Sequence, residues 1–216
     1  MTESNESRPS LWSGAITLAL LAAICTALVA ATYDLTEERI EDNRQRLLEA
    51  SLKPLLEGLS YSGELSDSVL EIPPPNELPG NTDATIYRVY ADGRPLAALF
   101  SVIPRDGYAG PIRLLIGVDA NGTITRVRVL EHRETPGLGD RIDIKKSDWI
   151  EGFRGRSLTN PESEGWEIQR DGGEFDQLSG ASTTSRAVVR AVRDTLLYFQ
   201  TQRETVFARP AQEVSE

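Results

Sequence analysis

Hydrophobic and polar positions follow three regimes along this chain of 216 residues. In the first, no charged residue falls between Arg8 and Asp34, and residues 18–31 are almost wholly apolar. An apolar helix of about 20 residues crosses a hydrocarbon core of about 30 Å. Trp12 and Tyr33 flank the run, where aromatic rings suit a membrane interface. A transmembrane helix is expected over residues 11–33, behind an N-terminal tail of residues 1–10. Cys25 falls mid-span and reads as a small apolar residue. The rival reading is a cleaved signal peptide ending near Val29-Ala30-Ala31. The length of the run and its weakly basic lead favour a retained anchor. Arginine counting sets Arg8 before the span against Arg39, Arg44 and Arg46 after it. That count keeps the following domain cytoplasmic, but the rule weakens for long domains, so orientation stays open.

In the second regime, from Tyr33 to about Lys53, the period is helical. Ile40, Leu47, Leu48 and Leu52 share one face, and acids dominate the first turns. Pro54 interrupts or restarts this helix before Leu55 and Leu56. Four prolines between Ile72 and Asn81 read as a stiff linker or loop. Residues 34–82 are expected to form a helical stalk and Pro-rich linker.

In the third, short apolar runs alternate with turns. Strands are expected at Thr85–Ala91, Leu96–Ile103 and Ile112–Val118, with Asp92-Gly93 and Asn121-Gly122 as turn signals. Val127 and Val129 alternate with Arg126 and Arg128, as in a strand with one buried face. Trp149 and Phe153 suggest a short helix. Trp166 and Ile168 suggest another strand, ended by Asp171-Gly172-Gly173. Val188, Val192, Leu196 and Phe199 recur at helical spacing, giving a last helix over Arg186–Thr201. The fold class is α+β: a single N-terminal transmembrane helix, then one domain over residues 83–204 with an antiparallel sheet and flanking helices. Residues 205–216 form a polar tail.

Charge and composition then narrow the chemistry. A formal net charge of -10 argues against nucleic acid as a partner. With one Cys and one His, the chain by itself makes no disulfide, Cys/His zinc site, cysteine-ligated iron–sulfur cluster or c-type haem site. A redox role would therefore rest on an organic cofactor.

Two segments carry candidate chemistry. His132-Arg-Glu-Thr-Pro-Gly-Leu-Gly-Asp140 follows the Val127/Val129 strand. It is either an ordinary Pro-Gly turn or a close-approach surface for a planar ligand, with Glu134 and Thr135 polar and Leu138 apolar. His132 and Glu134 share a strand face, but no further His or Cys completes a typical transition-metal site. Ser179-Gly-Ala-Ser-Thr-Thr-Ser185 lies at the start of the last helix. It is either a capping loop, with Thr184 or Ser185 as the cap, or a seat for a phosphate group. It lacks the lysine of a Walker loop. No Gly-x-Ser-x-Gly elbow supports a hydrolase built on Ser179, His132 and Asp176.

Together these segments resemble a known family. Asp176-Gln-Leu-Ser-Gly-Ala-Ser-Thr-Thr184 is similar to the flavinylation motif of FMN-binding domains, Asp-x-x-Ser/Thr-Gly-Ala-Thr/Ser-x-Thr. His132–Asp140 resembles that domain's other signature. Gly107-Tyr-Ala-Gly-Pro-Ile112 and the Asn121-Gly122 hairpin also match it. Both motifs behind one span resemble the RnfG/RsxG family of the Rnf (Rsx) electron-transport complex.

The resemblance implies FMN joined by a phosphoester to Thr184. Ser179, Gly180 and Ser182 would shape the loop, with Glu134, Thr135 and Leu138 near the flavin. Ser182 stands where the motif usually has Thr, and it keeps the hydroxyl. The resemblance also implies an ApbE-type flavin transferase, other integral-membrane subunits and membrane lipid as partners. It implies a single-pass inner-membrane location, with the domain on the periplasmic side. The complex would couple electron transfer between ferredoxin and NAD to ion translocation. The alternatives are a sister covalent flavoprotein, such as the corresponding component of the sodium-pumping NADH:quinone reductase, and a flavin-free membrane-anchored interaction domain.

Overall fold

A computed structural model of the chain describes residues 14–16, 18–27, 52–56 and 68–208. The chain divides into two units, Met1–Leu48 and Glu49–Glu216. In the first unit, residues 14–16 and 18–27 are helical and exposed throughout. Among the described residues, no helix is long and apolar enough to cross a membrane. The remainder of the expected span, most of the expected stalk and the end of the C-terminal tail lie outside the described residues.

The second unit is built on a five-stranded antiparallel sheet. Its strands are β1 (Val69–Ile72), β2 (Ala84–Ala91), β3 (Arg94–Val102), β4 (Arg113–Asp119) and β5 (Ile124–Glu131), side by side in chain order. Hairpin chemistry sets this meander. Asp92 and Gly93 both adopt positive φ (48° and 76°), as a two-residue turn matching the strand twist requires. At the β4–β5 turn, Asp119 Oδ1 accepts hydrogen bonds from the N–H groups of Asn121 and Thr123, at 2.8 and 2.9 Å.

The pleat separates two faces. Ile86, Phe100, Ile116 and Val127 lie opposite one another across four strands. They belong to the same core cluster as Val188, Val192, Leu196 and Phe199 of the long helix α1 (Ser182–Phe207). Phe100 meets Tyr198 and Phe199 edge-on, with ring centroids 6.4 and 6.1 Å apart. On the other face, Leu99 and Leu115 are also fully buried. Burial on both faces explains why the middle of β4 reads as a continuous apolar run, Leu114-Leu115-Ile116, rather than as an alternation. A 3-10 turn at Lys53–Leu56 packs on β4 and β5 and buries Leu55 and Leu56.

Three expectations are corrected. The sheet begins at Val69, inside the stretch expected to be stalk and linker, so the folded domain starts before residue 83. β1 has only four residues, and the prolines beside it masked its short pattern. Trp166 and Ile168 are not in a strand: Ile168 makes only an isolated bridge to Phe175. Among the described residues, no neighbouring strand offers a ladder there. Trp166 is buried instead in a knot of turns, its indole N–H donating to the carbonyls of Pro161 and Ser157. The last helix begins at Ser182, four residues before Arg186, and runs to Phe207. Its polar first turn carried no hydrophobic period from which to extend it. The short helix expected around Trp149 and Phe153 is a 3-10 helix over Asp148–Phe153.

Candidate functional site

β5 ends at Glu131 and delivers the His132–Asp140 segment directly from the sheet edge. The segment then folds on itself. The N–H groups of Leu138 and Asp140 both donate to the Thr135 carbonyl, at 3.1 and 3.3 Å, with Gly137 at φ 78° between them. His132 is hydrogen-bonded: its Nδ1 accepts the Glu134 N–H at 3.1 Å. A neutral His132 therefore carries its proton on Nε2. Thr135, Pro136, Gly137 and Leu138 form the turn, and Pro136, Gly137 and Leu138 are exposed, whereas Glu134, Gly139 and Asp140 are buried.

The second segment is anchored before it begins. Phe175 stacks on Phe153 and lies against Trp166, with centroids 4.9 Å away in each case. Trp149 meets Phe153 edge-on, and its indole N–H donates to the Asp176 carbonyl at 2.7 Å. From there the chain turns through Gly180 (φ 79°) into α1. Neither Thr184 nor Ser185 caps this helix. The cap position is Ala181, without a side-chain hydrogen bond, and the first turn contains no acid. Ser185 instead ties the loop to the helix: its hydroxyl donates to the Ala181 carbonyl and accepts the Leu178 N–H, at 3.1 and 3.0 Å. The N–H groups of Ser182, Thr183 and Thr184 occupy the turn that has no intrahelical acceptor. They gather at the positive end of a helix of 26 residues.

The two segments meet at Thr184. Its hydroxyl is fully buried and donates to Glu134 Oε2 at 2.6 Å, linking residues 50 positions apart. The other carboxylate oxygen, Oε1, accepts the Ala109 N–H at 3.1 Å. Thus Gly107–Ile112 is the third wall of the same site. Close approach requires two of its glycines. A β-carbon on Gly107 would sit 2.9 Å from Glu134 Oε1, and one on Gly139 would sit 2.6 Å from Glu134 Oε2. The segments touch again where Leu138 lies against Gly180, with 3.0 Å between Leu138 Cδ2 and a β-carbon built there.

Glu134, Leu138, Gly180 and Thr184 are therefore brought together. Ser182 is half-buried, and Thr183 and Ser179 are exposed. Ser179 borders a cleft of about 380 Å³ that is also lined by Arg141, Ser147, Asp148, Trp149, Asp176, Gln177 and Leu178. Thr135 contributes its carbonyl to the turn. Beside the site, Asp140 is buried, with Lys146 Nζ 3.9 Å from Oδ2 and, among the described residues, no hydrogen-bond partner for Oδ1. Sequence reasoning did not single out Ala109 or the Trp149 indole, because one acts through its backbone and the other through a contact remote in sequence.

The helix start is also held by an ion pair. Arg186 donates to Asp171 from Nε at 2.6 Å and from Nη2 at 3.1 Å. The Arg186 hydrogen bond, helped by nearby arginine charge, holds the Asp171 carboxyl below the usual carboxylate range. The same bond raises the Arg186 guanidinium.

Two family profiles match the chain. The profile of the FMN-binding domain family matches residues 107–197, which enclose all three walls of the site. A profile for the RnfG N-terminal region matches residues 1–55. The G subunit of an ion-translocating oxidoreductase complex from Pseudoalteromonas atlantica is 41% identical over 191 residues, covering 88% of this chain and 89% of the relative. The chain belongs to this family of G subunits of ion-translocating oxidoreductase complexes. The G subunits from Pseudomonas aeruginosa and Escherichia coli O157:H7 are each 41% identical to it. These alignments cover 93% and 91% of this chain, and 94% of each relative. The likeness thus runs through both the N-terminal region and the folded domain.

Proposed function

We propose that this chain is a membrane-anchored electron-transfer subunit of an ion-translocating oxidoreductase complex, with FMN joined through a phosphoester to Thr184. The observation that carries this reading is the placement of the Thr184 hydroxyl. It lies in the first turn of an uncapped helix, against the motif that Glu134 and Gly139 contribute.

The residues present fit a phosphate-bearing flavin. Unpaired N–H groups and the helix dipole favour an anion at the start of α1, and no acid in the first turn opposes it. Glycine at 139 and 180 keeps the backbone close. The cleft beside Ser179 offers the Arg141 cation and the Trp149 ring, a mixture that suits a planar ring with polar edges. Exposed Leu138 and Tyr108 add apolar surface on the neighbouring walls. Ser179, Gly180 and Ser182 would shape the phosphate loop, with Thr135 and Leu138 toward the flavin. Because Thr184 is fully buried, attachment requires the residues that cover its hydroxyl to move. FMN, when bound, supplies electron storage, accepting electrons as a pair and releasing them singly.

The membrane part of the proposal places residues 11–33 across the inner membrane, with 1–10 as a tail and the residues after 33 leading into the folded domain, whose sheet begins at Val69. The exposed apolar side chains of Ile16, Leu18, Leu20, Leu21 and Ile24 support it, since contiguous apolar surface marks a partner or a membrane. The domain would stand on the periplasmic side beside the integral-membrane subunits and in reach of lipid. An ApbE-type flavin transferase would mature it.

Co-expression with such a transferase, followed by flavin fluorescence in a denaturing gel, tests the attachment. The wild type should give a fluorescent band, Thr183→Ala should keep it, and Thr184→Ala should lose it. A band that survives Thr184→Ala overturns the site. A reporter fused after Glu216 tests the topology.

A further inference from the structure

Glu134 does more at this site than a ring contact would need. It is a buried carboxylate whose two oxygens hold the Thr184 hydroxyl and the Ala109 N–H. Gly107 and Gly139 confine it so closely that a β-carbon on either would fall within 3 Å of a carboxylate oxygen. Its Oε2 accepts the hydrogen bond of the hydroxyl whose proton Thr184 must lose to become a nucleophile. A weak hydroxyl nucleophile needs an adjacent base within hydrogen-bond reach, about 2.6–3.2 Å, and this pair stands at 2.6 Å.

We infer that Glu134 is the general base for covalent loading of Thr184, so that the acceptor chain itself supplies the base for its own modification. The inference rests on the covalent-FMN reading above. Thr184 Oγ attacks the flavin-side phosphorus of a flavin adenine dinucleotide donor. The new Oγ–P bond forms, and the pyrophosphate P–O bond breaks. AMP leaves with the bridging oxygen and its electron pair, and the hydroxyl proton passes to Glu134 Oε2. No electron is gained or lost.

The test uses the full-length chain, a purified ApbE-type flavin transferase and FAD, and follows covalent fluorescence and AMP release. Thr184→Ala is the control for the attachment reading. Glu134→Gln should leave the transferase KM for this chain within about twofold while lowering kcat about 100-fold, the scale of a lost general base. Glu134→Asp, which retracts the carboxylate by one methylene, should fall between the two. Unchanged kcat in Glu134→Gln overturns the base assignment while leaving covalent FMN intact. If Glu134→Gln does not fold, Glu134→Asp decides: lower kcat at constant KM supports the assignment, and a wild-type rate overturns it. A wild type that takes no label overturns the attachment reading and this inference with it.

Discussion

Gly139 packs against Thr184 so tightly that a β-carbon at Gly139 would stand 3.0 Å from Thr184 Oγ1 and 2.9 Å from Glu134 Cβ. The contact joins the end of one motif to the last residue of the other. Gly139→Ala should force Glu134 and Thr184 apart. The expected cost is about 1–3 kcal/mol, as for an overpacked core, measured by urea denaturation. Flavin transfer to Thr184 should slow by about tenfold or more, because a misplaced nucleophile loses much of its orientation advantage. Wild-type stability and labelling in this variant would mean that the three walls are not in contact in solution.

Ser185 is one residue from Thr184 and has a different role. Its hydroxyl satisfies the buried Leu178 N–H. Ser185→Ala should cost about 1–3 kcal/mol, the penalty for an orphaned buried donor, while Thr183→Ala, on the exposed side of the turn, should change stability by less than about 0.5 kcal/mol. Thermal melting of the two variants side by side checks the contrast.

The Asp171–Arg186 pair makes a pH prediction. The folded-state carboxyl is held below its usual range, so its stabilisation is present above the unfolded carboxylate value, about pH 4, and is lost as pH falls through the lower folded value. Asp171→Asn should therefore melt below the wild type at neutral pH. The gap should close as the solution is acidified below about pH 4. A gap that is constant with pH would show that the carboxylate charge is not the source.

Phe100 tests the core that supports α1. It is fully buried and touches Tyr198 and Phe199. Phe100→Ala should destabilise the domain by about 3–5 kcal/mol, read as a lower denaturation midpoint.

Most of the sheet was legible because hairpin chemistry and period-two alternation are local. Asp92-Gly93 and Asn121-Gly122 lie at the turns, and β2 to β5 fall close to where the pattern places them. Trp166 and Ile168 misled because large apolar residues in adjacent turns have the same spacing as a strand when no partner strand is considered. β1 was hidden by its length and by the prolines that follow it. The Ser182–Ser185 turn was hidden because its polar residues belong to the helix without serving as its cap.

The sequence by itself determined the two motifs, their order, the apolar N-terminal run and the want of cysteine and histidine ligands. Each is a matter of residue type and spacing along the chain. Only the tertiary structure decided that Glu134 holds the Thr184 hydroxyl, that Ala109 and Gly107 close the same site and that Trp149 anchors the loop. Those contacts join residues 25 to 50 positions apart through atoms whose approach depends on how β5, the turns and α1 pack. No local pattern encodes such a distance.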